Sequence, residues 1–285
     1  SGYNLDEFIK AQPFNLARIL VGSEGTLGTV VEAKMRLVPK PKWTAMDVIH
    51  FYDDIEALEA SQAILKTAPY ALESTDQMIL GLARGNIVQS QRLGFVQGNP
   101  SSLLMVEYAG ETEAEVRAQV EKLEELRKRE NIGYAATLAF KPEEVKAIWG
   151  VRKAGLGLLL GTKGDKKPIA FVEDAAVEPA KLPEFIKRFR QIVARHDTVA
   201  GYYGHCSVGC MHIRPLINLK EESERNKMVS IANAIADLVL EFNGAMSGEH
   251  GDGLARSHFN AKLFGPALYD AFRQVKRAFD PKNLM

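Results

Sequence analysis

The spacing of apolar residues along the chain predicts helices and strands in intermixed order. The most regular helical pattern is residues 112–130, where Glu, Lys and Arg also fall at the i,i+4 spacing that stabilises an exposed helical face. Five further helices are predicted at residues 55–67, 142–160, 179–194, 221–242 and 263–279. Short apolar runs predict strands at residues 29–38, 44–51, 103–108, 135–140, 169–173, 199–205 and 210–215.

Neighbouring predicted strands often lie too close together for the long crossover that parallel pairing requires. The pattern therefore favours an α+β fold, in which a mostly antiparallel sheet is covered by helices. Pro39 and Pro41 interrupt the pattern, because proline cannot donate to a strand ladder. We place a domain boundary there, which divides the chain into residues 1–42 and residues 43–285.

Composition and charge exclude several classes of protein. The 285 residues include 36 Lys and Arg against 36 Asp and Glu, and 46% are hydrophobic, a fraction typical of globular proteins. The net charge of zero argues against nucleic acid as the main partner, because nucleic-acid-binding proteins usually carry a basic surplus. The longest apolar run, Leu156–Leu160, is far shorter than the roughly 20 residues of a membrane-spanning helix, so we expect no membrane span.

The two cysteines and the chain ends add context. Cys206 and Cys210 cannot form a disulfide scaffold, and so few cysteines favour a reducing, cytoplasmic compartment. The chain starts at Ser1 without an initiator methionine or a signal peptide, and stops at Met285 just after a helix-like segment. We expect it to be a piece of a longer protein.

The first chemical motif carries two histidines on a predicted β-hairpin. A turn centred on Val208 and Gly209 would place His205 directly opposite His212, with Cβ atoms about 5 Å apart. That spacing lets two imidazoles bind one metal ion. Two alternatives stay open, namely an ordinary cross-strand pair and a structural zinc site made of His205, Cys210 and His212.

The second motif holds Glu249 and His250 between glycines, which permit close backbone approach and positive φ. Such a loop can present side chains into a cleft, although an ordinary glycine-rich turn is the alternative. With His205 and His212 it would complete a set of two histidines and one carboxylate, and His250 would remain as a spare base. Arg214 is predicted to share the face of His212.

Two further features are ambiguous by themselves. Arg152 lies on the predicted 142–160 helix, and its planar guanidinium suits a substrate carboxylate, although a solvated basic patch is the commoner case. Residues 22–28 have G-x-x-G-x-x-G spacing, but a strand is predicted to follow them. A Rossmann-type phosphate site at a helix N-terminus is therefore not expected.

These pieces in this order resemble the flavin-linked oxidases that include D-lactate dehydrogenases, the glycolate oxidase flavin subunit and D-2-hydroxyglutarate dehydrogenases. The residues that carry the resemblance are Gly22–Gly28, Glu173–Val177, the His205-to-His212 spacing and Gly248–Gly251. The resemblance implies a ferredoxin-like cap domain over residues 43–285, preceded in residues 1–42 by the end of an FAD-binding domain. It also implies an iron–sulfur region in the full-length protein.

The resemblance assigns a role to each motif. It implies that His205, His212 and Glu249 bind a divalent metal such as Zn, Mn or Fe, that His250 is the catalytic base, and that Arg152 binds the substrate carboxylate. The residues expected to contact FAD are Ser23, Glu24, Gly25, Thr26, Leu27 and Gly28. The implied reaction oxidises a D-2-hydroxy acid of the lactate, glycolate or 2-hydroxyglutarate type and passes electrons to a downstream acceptor.

Two departures from the family pattern leave the substrate open. Residues 206–211 lack the substrate-contacting Asn that the family has between its two histidines, and Val172 stands where some members have a substrate-contacting Lys. Two other functions remain as alternatives. One is a non-catalytic binding or assembly subunit stabilised by a metal, and the other is a metal-dependent hydrolase.

Overall fold

The structure is a computed structural model that describes residues 2–10 and 13–285. Ser1, Ala11 and Gln12, which belong to the predicted 1–42 segment, lie outside the described residues. The strands are β1 Trp43–Phe51, β2 Ala71–Asp76, β3 Ser102–Gly110, β4 Ala135–Ala139, β5 Lys167–Pro168, β6 Asp174–Ala176, β7 Ala200–His205 and β8 Cys210–Ile217. The helices are α1 Asp6–Lys10, α2 Ala17–Leu20, α3 Asp54–Leu65, α4 Gln77–Arg84, α5 Ile87–Ser90, α6 Glu113–Glu130, α7 Pro142–Leu160, α8 Leu182–Arg195, α9 Glu222–Glu241, α10 Gly253–Arg256 and α11 Asn260–Phe279.

The strands form one sheet in the order β4-β1-β3-β2-β7-β8-β5, and β6 also pairs with β8. Every strand pair in it is antiparallel. The prediction of an α+β fold with a mostly antiparallel sheet covered by helices is therefore confirmed.

The sheet buries apolar side chains on both faces. On β3, Leu104 and Val106 join the larger core beneath α3, α6, α8 and α9, whereas Leu103 and Met105 point to the other side. There they pack against residues of α4 and α7. This alternation along a strand is the two-residue period of extended backbone, and it decides which polar residues face α7.

Local sequence signals set the helix ends. Thr112 caps α6 in a reciprocal capping box with Glu115, and the helix stops at Asn131 in the left-handed conformation. Pro142 occupies the first turn of α7, where its missing N–H costs nothing. The predicted ends of these two helices therefore agree closely with the structure.

Two strand predictions are wrong. Residues 29–38 form no strand, and their apolar side chains such as Val31 and Leu37 are exposed. A strand needs a neighbour to accept its backbone hydrogen bonds, and no described strand lies beside this segment. Residues 169–173 also form no strand, because the ladder to β8 is interrupted between β5 and β6. Only the two end residues bond to β8: Ile169 N–H donates to Pro215, and the Glu173 carbonyl accepts from Ile213.

The predicted hairpin register is also wrong. His205 lies opposite Cys210, and His212 lies opposite Tyr203. The connecting turn holds four residues, 206–209, and its last residue, Gly209, has φ of +69° and lies so close to the carbonyl of Val177 that a Cβ would not fit. The shift amounts to two residues, so both histidines keep a common face.

None of the described helices combines the length and the apolar character required to cross a bilayer.

Asp47 is a fully buried carboxyl on β1, and neither of its oxygens has a hydrogen-bond partner among the described residues. Burial, reinforced by the neighbouring Glu124, raises its pKa to about 8. The folded state thus keeps a proton that the unfolded state releases above about pH 4. This contribution to stability is present at low pH and is lost as the pH rises towards 8.

We predict that Asp47→Asn stabilises the chain much more at pH 8 than at pH 5. The wild type should lose up to about 1.4 kcal/mol per pH unit across that window, and the amide should not. Urea unfolding of both proteins at the two pH values measures the difference. The exposed Asp270→Asn is the control, and an equal response of the two variants would contradict the prediction.

Candidate metal and active site

Pairing across the sheet brings polar residues from four strands onto the face that α7 covers. Glu73 of β2 lies opposite His205 of β7, and Asp174 of β6 lies opposite His212 of β8. Directly opposed residues share a face of an antiparallel sheet. Segments far apart in sequence therefore build one polar patch.

Three side chains converge at the end of this patch. His205 Nε2 and His212 Nε2 are 3.3 Å apart, and each lies 3.1 Å from Glu249 Oε1. Zinc–nitrogen bonds of about 2.0–2.1 Å would place tetrahedral ligand atoms about 3.3 Å apart. The spacing of these three atoms therefore suits a single divalent cation.

The two histidines differ in their electrostatic surroundings. Burial, together with the nearby His250 and His205, lowers the pKa of His212 to about 3, so this imidazole is neutral at physiological pH, as a metal ligand must be. The pKa of His205 is raised, mainly by its hydrogen bond to Glu73. That bond joins His205 Nδ1 to Glu73 Oε1 at 2.7 Å and leaves Nε2 directed at Glu249.

Asp174 holds the loop that carries Glu249 and His250. Its Oδ2 accepts the Ser247 hydroxyl at 2.6 Å and the backbone N–H groups of Glu249 and His250 at 3.1 and 2.7 Å. Burial opposes ionisation of this carboxyl, but the hydrogen bonds outweigh burial and lower its pKa. The loop is thereby fixed against β6.

His250 stacks on His212, with ring centroids 4.8 Å apart and an angle of 6° between the planes. Its Nδ1 lies 2.7 Å from Glu173 Oε1, and its Nε2 lies 3.4 Å from Glu249 Oε1. The His250 side chain is 41% exposed, against 5% for His212. His250 is therefore the histidine of the cluster that a small molecule can reach most easily.

Arg152 of α7 reaches the same patch. Its Nε and Nη2 donate to Glu73 Oε2 at 3.1 and 2.7 Å, and its guanidinium lies 4.8 Å from the centre of the Tyr203 ring. Because its hydrogen bonds to described residues run through Nε and Nη2, the edge that includes Nη1 is left for another acceptor. That edge can bind a carboxylate in bidentate fashion.

Cys210 faces the site, but its thiol is already hydrogen-bonded to another side chain. Its thiol donates to Asp174 Oδ1 at 3.3 Å, and burial followed by the Asp174 charge raises the pKa of the thiol well above its usual range. Cys210, Asp174, His212 and Glu249 still have potential ligand atoms within 4.8 Å of one another. A zinc site that includes Cys210 is therefore an alternative, and substitution of Cys210 distinguishes it from the site of His205, His212 and Glu249.

The segment 23–28 is a turn, and two of its side chains, those of Glu24 and Leu27, contact other parts of the protein. The Glu24 carboxylate accepts the backbone N–H groups of Asp252 and Gly253 at 2.7 and 2.8 Å, and Leu27 is buried. Gly25 and Gly28, in contrast, have open space where a side chain would stand. A flat group such as flavin could approach the backbone at these two glycines.

The structure therefore brings together four of the residues singled out from the sequence, namely His205, His212, Glu249 and His250. It places Arg152 beside His205 through Glu73, and it joins segment 23–28 to the loop of Glu249 through Glu24. Sequence reasoning missed the roles of Glu73 and Glu173. Glu173 stands within a motif that carried the family resemblance, whereas Glu73 lies on a strand that was not predicted.

Comparison with known proteins identifies the family. The profile of the family "FAD linked oxidases, C-terminal domain" matches residues 40–285. The chain belongs to this family.

Relatives of this chain include D-2-hydroxyglutarate dehydrogenase of Pseudomonas putida, which is 34% identical over 99% of this chain and 29% of its own length. Glycolate oxidase subunit GlcD of Bacillus subtilis is 29% identical over 95% of this chain and 56% of its own length. The chain thus spans well under two thirds of these relatives. The solved 4-ethylphenol oxidase of Gulosibacter chungangensis shares the fold with a TM-score of 0.62 at 12% identity, over 87% of this chain and 53% of its own.

Glu24 is predicted to fasten the loop that carries Glu249 and His250. In Glu24→Gln the amide NH₂ would face one of the two backbone N–H groups, so one hydrogen bond would be lost. Hydrogen bonds to a charged acceptor contribute about 1.5–3 kcal/mol each. We expect backbone amides of residues 251–253 to exchange hydrogen about tenfold faster or more. Hydrogen exchange by mass spectrometry measures this, with the exposed Glu32→Gln as control. Equal rates in both variants would show that Glu24 does not restrain the loop.

Metal binding should separate the two ligand sets. We expect Glu249→Gln and His205→Gln each to weaken Co²⁺ binding by more than about 100-fold. Loss of a residue that only hydrogen-bonds a metal ligand weakens binding by about 10–100-fold. Cys210→Ser should leave it nearly unchanged, because its thiol pKa is raised and the thiol donates to Asp174. Titration followed by visible absorption gives the affinities. Loss of binding in the serine variant would favour the structural zinc site.

Proposed function

We propose that this chain supplies the substrate- and metal-binding part of a flavin-dependent dehydrogenase that oxidises a D-2-hydroxy acid to the 2-oxo acid. The observation that carries the proposal is the convergence of His205 Nε2, His212 Nε2 and Glu249 Oε1 within 3.1–3.3 Å of one another. The substrate class is supported by relatives named for D-2-hydroxyglutarate, glycolate and D-lactate.

In the proposed enzyme, His205, His212 and Glu249 hold a divalent cation such as zinc, manganese or iron, and residues 23–28 lie against FAD. When bound, the cation lowers the pKa of the substrate hydroxyl and the flavin accepts a hydride. We also propose that residues 1–42 complete a flavin domain, that residues 43–285 form the cap, and that an iron–sulfur region of the longer protein relays electrons to a downstream acceptor.

Arg152 binds and orients the substrate. The guanidinium edge that is free of Glu73 donates two parallel hydrogen bonds to the substrate carboxylate, and Glu73 restrains the side chain from the other edge. Because Glu73 also bonds His205, the carboxylate site and the cation site are held at a set distance from each other. The 2-hydroxyl is thereby directed towards the histidine cluster.

His250 accepts the hydroxyl proton. A carboxylate oxygen of Glu173 can only accept from Nδ1, so the neutral ring carries its proton there and a lone pair on Nε2. Nε2 faces the cluster and is the atom that takes the proton as the C2 hydrogen leaves as hydride and the carbonyl forms. Imidazole suits this task near neutral pH.

The proposed activity is tested by mixing the full-length flavoprotein with D- and L-lactate, glycolate, and D- and L-2-hydroxyglutarate without oxygen. We expect glycolate or a D-acid to bleach the flavin absorbance, and an L-acid to leave it unchanged. Bleaching by none of these acids would refute the proposal.

His250→Asn is predicted to lower kcat by about 10²–10⁴-fold, the usual contribution of a general base. Flavin content and Co²⁺ affinity should stay close to those of the wild type, because the proposed cation ligands are unchanged. Steady-state kinetics with the best acid measures the effect, and the exposed His258→Asn is the control. An unchanged kcat would remove His250 from the mechanism.

A further inference from the structure

Glu173 lies behind the stacked pair formed by His212 and His250. It directly precedes β6 and is 4% exposed. Its Oε1 is 2.7 Å from His250 Nδ1, and its Oε2 is 3.8 Å from His212 Nδ1. One buried carboxylate thus faces the same nitrogen on both rings.

The two parallel rings lie between two carboxylates. Their Nε2 atoms approach Glu249 Oε1 at 3.1 and 3.4 Å, whereas their Nδ1 atoms face Glu173. The Nδ1 of His212 is buried and has no hydrogen-bond partner among the described residues, because Glu173 Oε2 at 3.8 Å lies beyond hydrogen-bond distance. Glu173 is the carboxylate that faces this nitrogen when Nε2 is engaged on the opposite edge.

Two buried arginines flank Glu173. Arg214 Nη2 donates to Oε2 at 3.0 Å, and Arg256 Nη1 lies 3.9 Å from Oε1. Both side chains are nearly inaccessible to solvent, and in the described part of the chain neither Nε has a hydrogen-bond partner. Burying such charges is costly, so the arrangement favours a role for Glu173 that an apolar side chain could not supply.

We propose that Glu173 is a positioning residue that orients His250 and His212 together, and that Arg214 holds Glu173 in place. This inference rests on the proposed function of His250 as base and His212 as ligand. Glu173 accepts from His250 Nδ1 at 2.7 Å and places its negative charge 3.8 Å from His212 Nδ1, so it favours a proton on Nδ1 of both rings and leaves both Nε2 lone pairs directed to the same side. A carboxylate behind a ligand histidine is a common means of fixing its tautomer and direction.

The test is Glu173→Gln in the full-length protein. We expect kcat to fall by about 10–100-fold and Co²⁺ affinity to fall by a similar factor. The KM of the substrate should change little, because Arg152 is bonded to a different carboxylate, Glu73. The control is Glu224→Gln, which removes a comparably buried carboxylate that is paired with Lys227.

Each outcome decides the proposal. A fall in both kcat and Co²⁺ affinity, with the control unaffected, supports it, and a loss in neither or in only one contradicts the shared role. If the Gln variant does not fold, Glu173→Asp replaces it, since the shorter side chain keeps its charge but withdraws from His250. A wild type that neither binds Co²⁺ nor oxidises a hydroxy acid refutes the proposed function as well. An active wild type with an unaffected variant refutes this inference alone.

Discussion

The buried carboxylate of Asp174 is the constraint on which the site depends. It lies opposite His212 in the sheet, and it accepts hydrogen bonds from the backbone N–H groups of Glu249 and His250. One side chain therefore connects the strand of a candidate ligand to the loop that carries the other ligand and the base. Glu24 and Glu173 add further hydrogen bonds to this loop, at the backbone of residues 252 and 253 and at the His250 ring.

Two hydrogen-bonded series of side chains surround this site, and in each an arginine bonds a carboxylate that in turn bonds an imidazole. Arg152, Glu73 and His205 form one series, and the contacts within it are 2.7 Å long. Arg214 and Glu173 form the other with His250. In both series the carboxylate bonds Nδ1 of the imidazole, which leaves Nε2 directed towards Glu249. This is how separate strands and helices present their imidazoles to one point.

The predictions from sequence succeeded where local signals were strong. The helices α6 and α7 have a capping box or a first-turn proline, and their bounds were predicted within a residue. The strand β2 was missed because its buried positions include Glu73, Ser74 and Thr75, so no apolar run marks it. The partner of His205 was missed with it. The strand prediction for residues 29–38 was wrong for the opposite reason, since this exposed segment has the apolar pattern of a strand but no neighbouring strand among the described residues.

By itself the sequence determined the α+β class, the approximate bounds of the six longest described helices and the residue types of the site, because capping and periodicity act over a few residues. It also determined that His205 and His212 share a face, since the side-chain period of two survives a shift in register by two residues. Only the tertiary structure decided the register itself, in which His205 lies opposite Cys210 and His212 lies opposite Tyr203. It alone decided that Glu249 meets both imidazoles and that Glu73 and Glu173 stand behind them. Those contacts join residues that lie from 37 positions (His212 and Glu249) to 132 positions (Glu73 and His205) apart, and such distances leave no local pattern.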